Sequence, residues 1–470
     1  MRWVPRSGRL LLAAVLAAPL ALAGCGDQDQ PERAREATPA PTASATATGA
    51  GSPSAASPGV AGGPRATVTV GVPAGLRRAP FDVPRRLTLP AGWAASVYAR
   101  VAKARFLAVA PGGDLLVSQP STGAVLLVRR AGGGAGRVSP FLRGLNRPHD
   151  IVFAEVGGRS FVFVAEADRV VRYPYQAGDS TARPGQPVVT GLPDTSTPEL
   201  RGQYSHVLKN IAVRGNVLYV SIASTCNACV SDTRSDPQRA AIYTYDAAGT
   251  NAGRRLYARG LRNAEGLAFV PGTGDLWAVV NNRDNTLVPD DRDVDGDGRG
   301  DRGRRMTEFV DDYPVEPFTR VVRSGFYGWP FCNPNSDRGV RRMGYHRDYQ
   351  LNRDGRAADC ATATPIDVGL PAHTAPLGLT FTQGTPAPDL GAVIALHGSW
   401  NRSTPSGYKV IHFPWTAAGP GNQYDLATGW LDAGTGRSWG RPVDVAVDTD
   451  GSLLVSDDAA GAVLRLVPRR

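Results

Sequence analysis

The sequence holds 470 residues with a formal net charge of +10. That excess is modest for the length, and no lysine- or arginine-rich run carries interleaved aromatics. Nucleic acid is therefore excluded as a partner, while a basic groove for an anionic small molecule stays open.

The first 24 residues read as a targeting segment. Arg2, Arg6 and Arg9 form a positive region, and without them the net charge falls from +10 to +7. Residues 10–23 are apolar but shorter than the ~20 residues that span a bilayer. They lead into "LAGC", which has the form of a lipobox ending at Cys25. An acylated Cys25 would anchor the mature chain to a membrane on its extracytoplasmic side. Residues 25–79 are rich in Ala, Thr, Pro, Ser and Gly and read as a disordered tether, because they offer little apolar surface to bury.

Residues 80–470 carry one phrase six times: an apolar alternating strand, a turn rich in Gly or Asp, and a second apolar strand. Examples are "FLAVAPGGDLLVSQ", "NIAVRGNVLYVSIAS", "GLAFVPGTGDLWAVVNN" and "DVAVDTDGSLLVSDD". Period-two alternation and such turns specify strands. Six similar sheet units predict an all-β, six-bladed propeller. The gap between Leu267 and Leu379 is about twice the usual spacing and must hold a large insertion.

Besides Cys25, the cysteines are Cys226, Cys229, Cys332 and Cys360. In an oxidising compartment an even number predicts two disulfides, and the local pairings Cys226–Cys229 and Cys332–Cys360 are favoured. A four-cysteine zinc site and a redox-active C-x-x-C are the rivals. Val230 follows Cys229, so the pair is not a haem-attachment motif. Within the insertion, "DVDGDGRGD" sets Asp293, Asp295, Asp297 and Asp301 at spacings that can wrap a calcium ion, although Arg304 stands where an EF-hand needs a glutamate. A solvated acidic loop paired with arginines is the alternative.

In a propeller, the innermost strands and the loops at one mouth line the central site. The polar stretches beside the repeat phrases read "RPHD", "YSHVLKN", "LRN", "HTAPLG", "HGSWNR" and "GRPVD". Arginines converging on one mouth suit a polyanion. The motifs "GLRN…GLAF", "FYGWPFC", "HTAPLGLTF", "HGSWNRSTPSGYKV" and "GRPVDVAVDTDGSLLVSDD" resemble the PQQ-dependent sugar dehydrogenases, nearest the L-sorbosone dehydrogenase-like branch related to soluble quinoprotein glucose dehydrogenase. The resemblance runs from about Leu87 to the C-terminus.

The resemblance implies a cofactor, pyrroloquinoline quinone (PQQ), and a sugar substrate. His206 would be the general base. Arg262 and Asn263 would face the quinone oxygen. Arg441 would clamp a cofactor carboxylate, with Arg402 near the position of a cofactor-binding lysine. A cofactor calcium would be held by the backbone carbonyls of Asn282 and Arg283. Ser205 and Val443 depart from the family pattern, as does the stretch around Lys209 and Asn210. With no haem motif, nicotinamide fingerprint or P-loop, electrons must leave for an external acceptor, a membrane quinone or a cytochrome. Two other functions fit a propeller: a lipoprotein that only binds sugar or protein, and a calcium-dependent lactonase. The second needs carboxylates ringing the channel, and the mouth motifs hold few.

Overall fold

A strand that is apolar on both faces must be covered on both. The second strands of the repeats are of this kind: Leu115–Gln119, Ala392–Leu396 and Leu453–Asp457 are buried at every residue. The computed structural model describes residues 62–130 and 135–468 and arranges these strands in six antiparallel sheets. The fold is a six-bladed β-propeller.

Blade 1 runs from the strand Leu107–Val109, blade 2 from Ile151–Val156 and blade 3 from Lys209–Arg214. Blade 4 starts at Asn263–Phe269, blade 5 at Pro376–Phe381 and blade 6 at Pro442–Val447. These first strands are innermost and touch one another in a closed ring. Blade 6 takes its outer strand, Trp93–Arg100, from the other end of the chain, paired with Ala462–Pro468. The ring is clasped where the two ends of the domain meet.

The six largest apolar clusters among the described residues lie one between each pair of neighbouring blades, with three small ones elsewhere. Phe318 of blade 4, for example, lies 5.2 Å from Phe413 of blade 5. Polar ties add to this near the axis. Asp150 accepts the Ile211 N–H of the next blade at 2.8 Å, and Asp444 accepts the Leu107 N–H at 2.9 Å. Gly378 admits this approach, since a Cβ there would lie 2.1 Å from Asp444 Oδ1.

Two expectations change. The tether does not extend to residue 79. Arg65–Thr69 pairs with Arg86–Pro90, and Val70 is buried in the cluster between blades 5 and 6. The "ATVTVGV" alternation supplies apolar side chains that the small-residue composition hides. The insertion is not one excursion but two, both from blade 4. Residues 282–315 carry the acidic loop and the helix Thr307–Asp312, and residues 322–365 hold the Cys332–Cys360 bridge. The second excursion reaches back to blade 3, where Gly325–Phe326 runs parallel to Arg255–Arg259. Both expected disulfides are present, Cys226–Cys229 and Cys332–Cys360, which removes the zinc reading of these cysteines. The signal segment, Cys25 and the tether up to residue 61 lie outside the described residues. Among the described residues no helix is long and apolar enough to cross a membrane.

Candidate active site

The inner strands run at matching levels, since Asp150 meets Ile211, Gly266 meets Leu377 and Gly378 meets Asp444. Residues just before those strands therefore gather at one face of the disc. Arg105, His149, His206, Arg262, His373 and Arg441 all occupy such positions. A cavity of ≈ 320 Å³ opens farther down the axis, lined by Val109, Phe153, Phe381 and Val447, and neither His206, Arg262 nor Arg441 lines it.

His206 sits on the loop entering blade 3. Its Nδ1 lies 2.8 Å from the Ser224 carbonyl oxygen. A carbonyl only accepts, so Nδ1 carries the proton and Nε2 keeps its lone pair. Burial, then the nearby positive charge of Arg262, pushes the imidazole down to about 4. The ring is neutral at physiological pH. Ser224 also donates its N–H to the Arg262 carbonyl at 2.7 Å, which ties the histidine's support to the arginine's strand.

Arg262 is buried and paired with Asp284 at 2.8 Å. Its Nε also donates to the Asn227 carbonyl at 3.2 Å. Asn227 lies inside the Cys226–Cys229 bridge, and its side chain bonds the Asp284 backbone in both directions at 2.8 Å. The small disulfide loop is thus a clamp on the Arg262–Asp284 pair. Asp284 also receives His373 Nδ1 at 3.5 Å and the Asn401 amide at 3.2 Å. Burial favours the neutral acid, but Arg262 and His373 outweigh it and hold the Asp284 carboxyl below its ordinary value. Next to Arg262, the Asn263 amide donates to Glu265 at 3.1 Å, and Glu265 binds His149 at 3.1 Å.

Across the mouth, Arg441 donates to the His397 carbonyl at 3.1 Å and the Gly398 carbonyl at 2.6 Å. Asp457 fixes the Arg441 backbone by accepting its N–H at 2.9 Å. Asp458 accepts from both Arg105 and His397 at 2.9 Å.

His206, Arg262 and Asn263 are therefore brought together, with Arg441 on the facing side. Arg402 is not aimed at them. Its guanidinium caps the Asp311 carbonyl and lies 3.8 Å from Asp312. The side chains of Asn282 and Arg283 turn into the insertion, to Val315 and Asp348 respectively. In the acidic loop, Asp293, Asp295 and Asp297 bring carboxylate oxygens within 4.8 Å of one another. Asp301 stays out of that group. It is fully buried, accepts the Val294 N–H at 2.8 Å and pairs with Arg304. Its carboxylate is turned to that amide and guanidinium and away from the other three, so the loop offers three acids rather than four.

Sequence reasoning missed Arg105, Asn227, Asp284 and Asn401. Asp284 had a visible signal: an acid directly after a buried strand, in "NNRDN". The mouth motifs held two acids, Asp150 and Asp444, and the channel adds Glu265. All three are buried at the inner strands, where they bind backbone amides and His149. Among the described residues, the acids close enough to share an ion are those of the acidic loop.

A closed six-bladed ring with a neutral histidine and a carboxylate-held arginine at one mouth places the chain in the propeller class foreseen from its repeats. A profile of the TrAA12-like family matches residues 87–468, and the chain belongs to that family. The chain is 26% identical over 338 residues to a pyrroloquinoline quinone-dependent pyranose dehydrogenase of Coprinopsis cinerea, a match covering 64% of this chain and 44% of that protein. It thus spans less than half of this relative. In structure it resembles the holo PQQ domain of a Coprinopsis cinerea pyranose dehydrogenase, with a TM-score of 0.66, 23% identity and 82% and 97% coverage of the two chains. A Trichoderma reesei carbohydrate-active enzyme of family AA12 gives a TM-score of 0.65 at 21% identity, covering 81% and 97%. Both likenesses bear on the fold.

Proposed function

We propose that the chain is a PQQ-dependent dehydrogenase that oxidises an aldose, a sorbosone-like sugar or a related hydroxy compound. One observation carries this reading: His206, with Nδ1–H fixed on Ser224 and Nε2 free, stands beside the buried Arg262. The relative's name supplies the cofactor and the pyranose class.

The residues fit PQQ. Its three carboxylates ask for N–H donors, and the mouth presents Arg105, Arg262 and Arg441. Arg105 Nε is buried without a partner, and Arg441 uses only Nε and one Nη. Arg262 and Asn263 are assigned to the quinone oxygen and Arg441 to a carboxylate. Arg105 takes the supporting place first given to Arg402, whose charge is engaged on the helix Thr307–Asp312.

When bound, PQQ supplies a two-electron acceptor for the hydride leaving the anomeric carbon. His206 Nε2 takes the proton of the hydroxyl on that carbon, and the ring is neutral and ready because burial and Arg262 disfavour its charged form. Arg262 holds its charge where negative charge grows during the transfer, so its stabilisation is larger in the transition state than before it. Asp284, Asn227 and the Cys226–Cys229 loop keep that guanidinium in place.

The reading extends to partners. Calcium beside the cofactor, at the Asn282 and Arg283 carbonyls, is the second cofactor proposed, with the Asp293, Asp295 and Asp297 loop as a separate site. Loss of turnover on chelation and its return with calcium is the check. The mature chain is assigned to the extracytoplasmic membrane surface through Cys25, with a membrane quinone or cytochrome as acceptor, and Cys25→Ser is expected to release it from membranes.

The deciding experiment compares His206→Ala with Arg262→Ala across a PQQ titration. Loss of the base is expected to lower kcat by roughly 10²–10⁴ with PQQ binding intact. Loss of Arg262 is expected to weaken cofactor binding as well, so that excess PQQ rescues part of its defect and none of the other. Equal rescue, or full turnover without His206, overturns the assignment.

A further inference from the structure

Trp400 is the one exposed aromatic side chain among the described residues, with 65% of its surface open. Isolated exposed valines need no explanation, and five other exposed aliphatic residues are scattered over the disc. A tryptophan is different. It is the largest apolar side chain, and tryptophan is enriched at binding surfaces and among the residues that dominate binding energy.

Its loop is not slack. Ser399 N–H donates to the Ser406 carbonyl at 2.8 Å, and Ser406 N–H returns a bond to Ser399 Oγ at 2.9 Å. Arg402 and Ser403 fasten the far side of the loop to Asp311. The indole is held out by a rigid support, which keeps its ordering cost low when a ligand arrives.

Its neighbour supplies the polar half of a site. Asn401 donates through Nδ2 to Asp284, the partner of Arg262, while its Oδ1 is buried without a hydrogen-bond partner. A buried acceptor left unmet costs free energy that a ligand hydroxyl can recover. Consecutive on one rim loop, an open indole and an unmet amide oxygen supply the two chemistries a pyranose ring uses, an apolar face for its C–H groups and an acceptor for a hydroxyl.

We propose that Trp400 and Asn401 form a carbohydrate subsite on the rim of the mouth, stacking the second ring of a neutral oligosaccharide whose reducing-end ring lies between His206 and Arg262. This rests on the sugar-dehydrogenase reading. It makes sugars of two or more rings the preferred substrates over single-ring ones.

The test separates the two ideas. Full-length protein labelled with fluorotryptophan, without cofactor, is titrated with maltotriose, cellotriose and glucose. The Trp400 resonance is assigned by its loss in Trp400→Phe. At least one trisaccharide is expected to shift that resonance at about tenfold lower concentration than glucose, and Asn401→Ala is expected to weaken the effect. In the PQQ-loaded enzyme, Trp400→Ala is expected to raise KM for the same trisaccharide about tenfold with KM for glucose nearly unchanged. A shift without any sugar oxidation supports the subsite and overturns the dehydrogenase reading. Oxidation of sugars with no trisaccharide-induced shift, or with unchanged KM in Trp400→Ala, overturns the subsite alone.

Discussion

His206 shows how a single residue is tuned by its surroundings. Burial and Arg262 both act against its charged form, and together they bring it to about 4. The sign for activity follows. Below that value the ring is protonated and cannot accept a proton, so kcat/KM is expected to rise as pH increases through about 4 and then to level off across neutrality. Removing the positive charge in Arg262→Gln eases protonation, so the acidic limb is expected to move to higher pH, toward the ordinary histidine value. A pH–rate series on the two proteins measures this, and an unmoved limb in the variant means that another group sets it. The same residue contributes to stability in the matching sense. An unfolded chain protonates His206 near 6.5, so the stability gained from keeping it neutral is complete above that pH and is lost as pH falls toward about 4.

Among the elements, the two disulfides do unequal work. Cys332–Cys360 joins residues 28 apart, and chain entropy gives such a link about 3.6 kcal/mol of stability. Cys226–Cys229 joins residues 3 apart, for about 1.6 kcal/mol on the same scale. Its loop, however, carries Asn227, which touches both Arg262 and Asp284. Replacing Cys332 and Cys360 by serine is expected to lower the unfolding midpoint more, with turnover largely kept at low temperature. Replacing Cys226 and Cys229 is expected to do the reverse, cutting turnover and PQQ affinity with a smaller loss of stability. Urea unfolding and turnover on both pairs check this, and equal losses on both scales count against the clamp.

At the level of the whole molecule, the ring holds because each blade is covered on both faces by its neighbours and because acids near the axis tie adjacent inner strands. Asp444 accepts the N–H groups of Val445 and Leu107 at 2.8 and 2.9 Å, joining blade 6 to blade 1. Burial, the largest influence on it, raises its carboxyl to about 8, and the backbone bonds only partly oppose that. Asp444→Ala leaves two buried amides without acceptors, each at about 1–3 kcal/mol. A total loss of roughly 2–6 kcal/mol in urea unfolding is expected, and a loss within measurement error means the tie contributes nothing.

Much of this was legible in the sequence, because blade formation is local. Period-two alternation, Gly/Asp turns and six repeats require six sheets, and a sheet apolar on both faces requires neighbours. The places of His206, Arg262 and Arg441 before the inner strands were legible for the same reason, since they follow from the repeat. The N-terminal strand Arg65–Thr69 was hidden by a composition resembling the tether before it, and only its pairing with Arg86–Pro90 reveals it. The partners of the site belong to tertiary structure alone. Asp284 and Asn227 come from separate stretches of the chain and meet Arg262 only when the blade 3 disulfide loop and the start of the first blade 4 excursion close over it, and the rim loop then brings Asn401 to Asp284. Arg402 carried the right charge in the right motif, yet folding set it against the Asp311 carbonyl. Charge type is written in the sequence, but a guanidinium's target depends on which acceptors folding brings within hydrogen-bond reach.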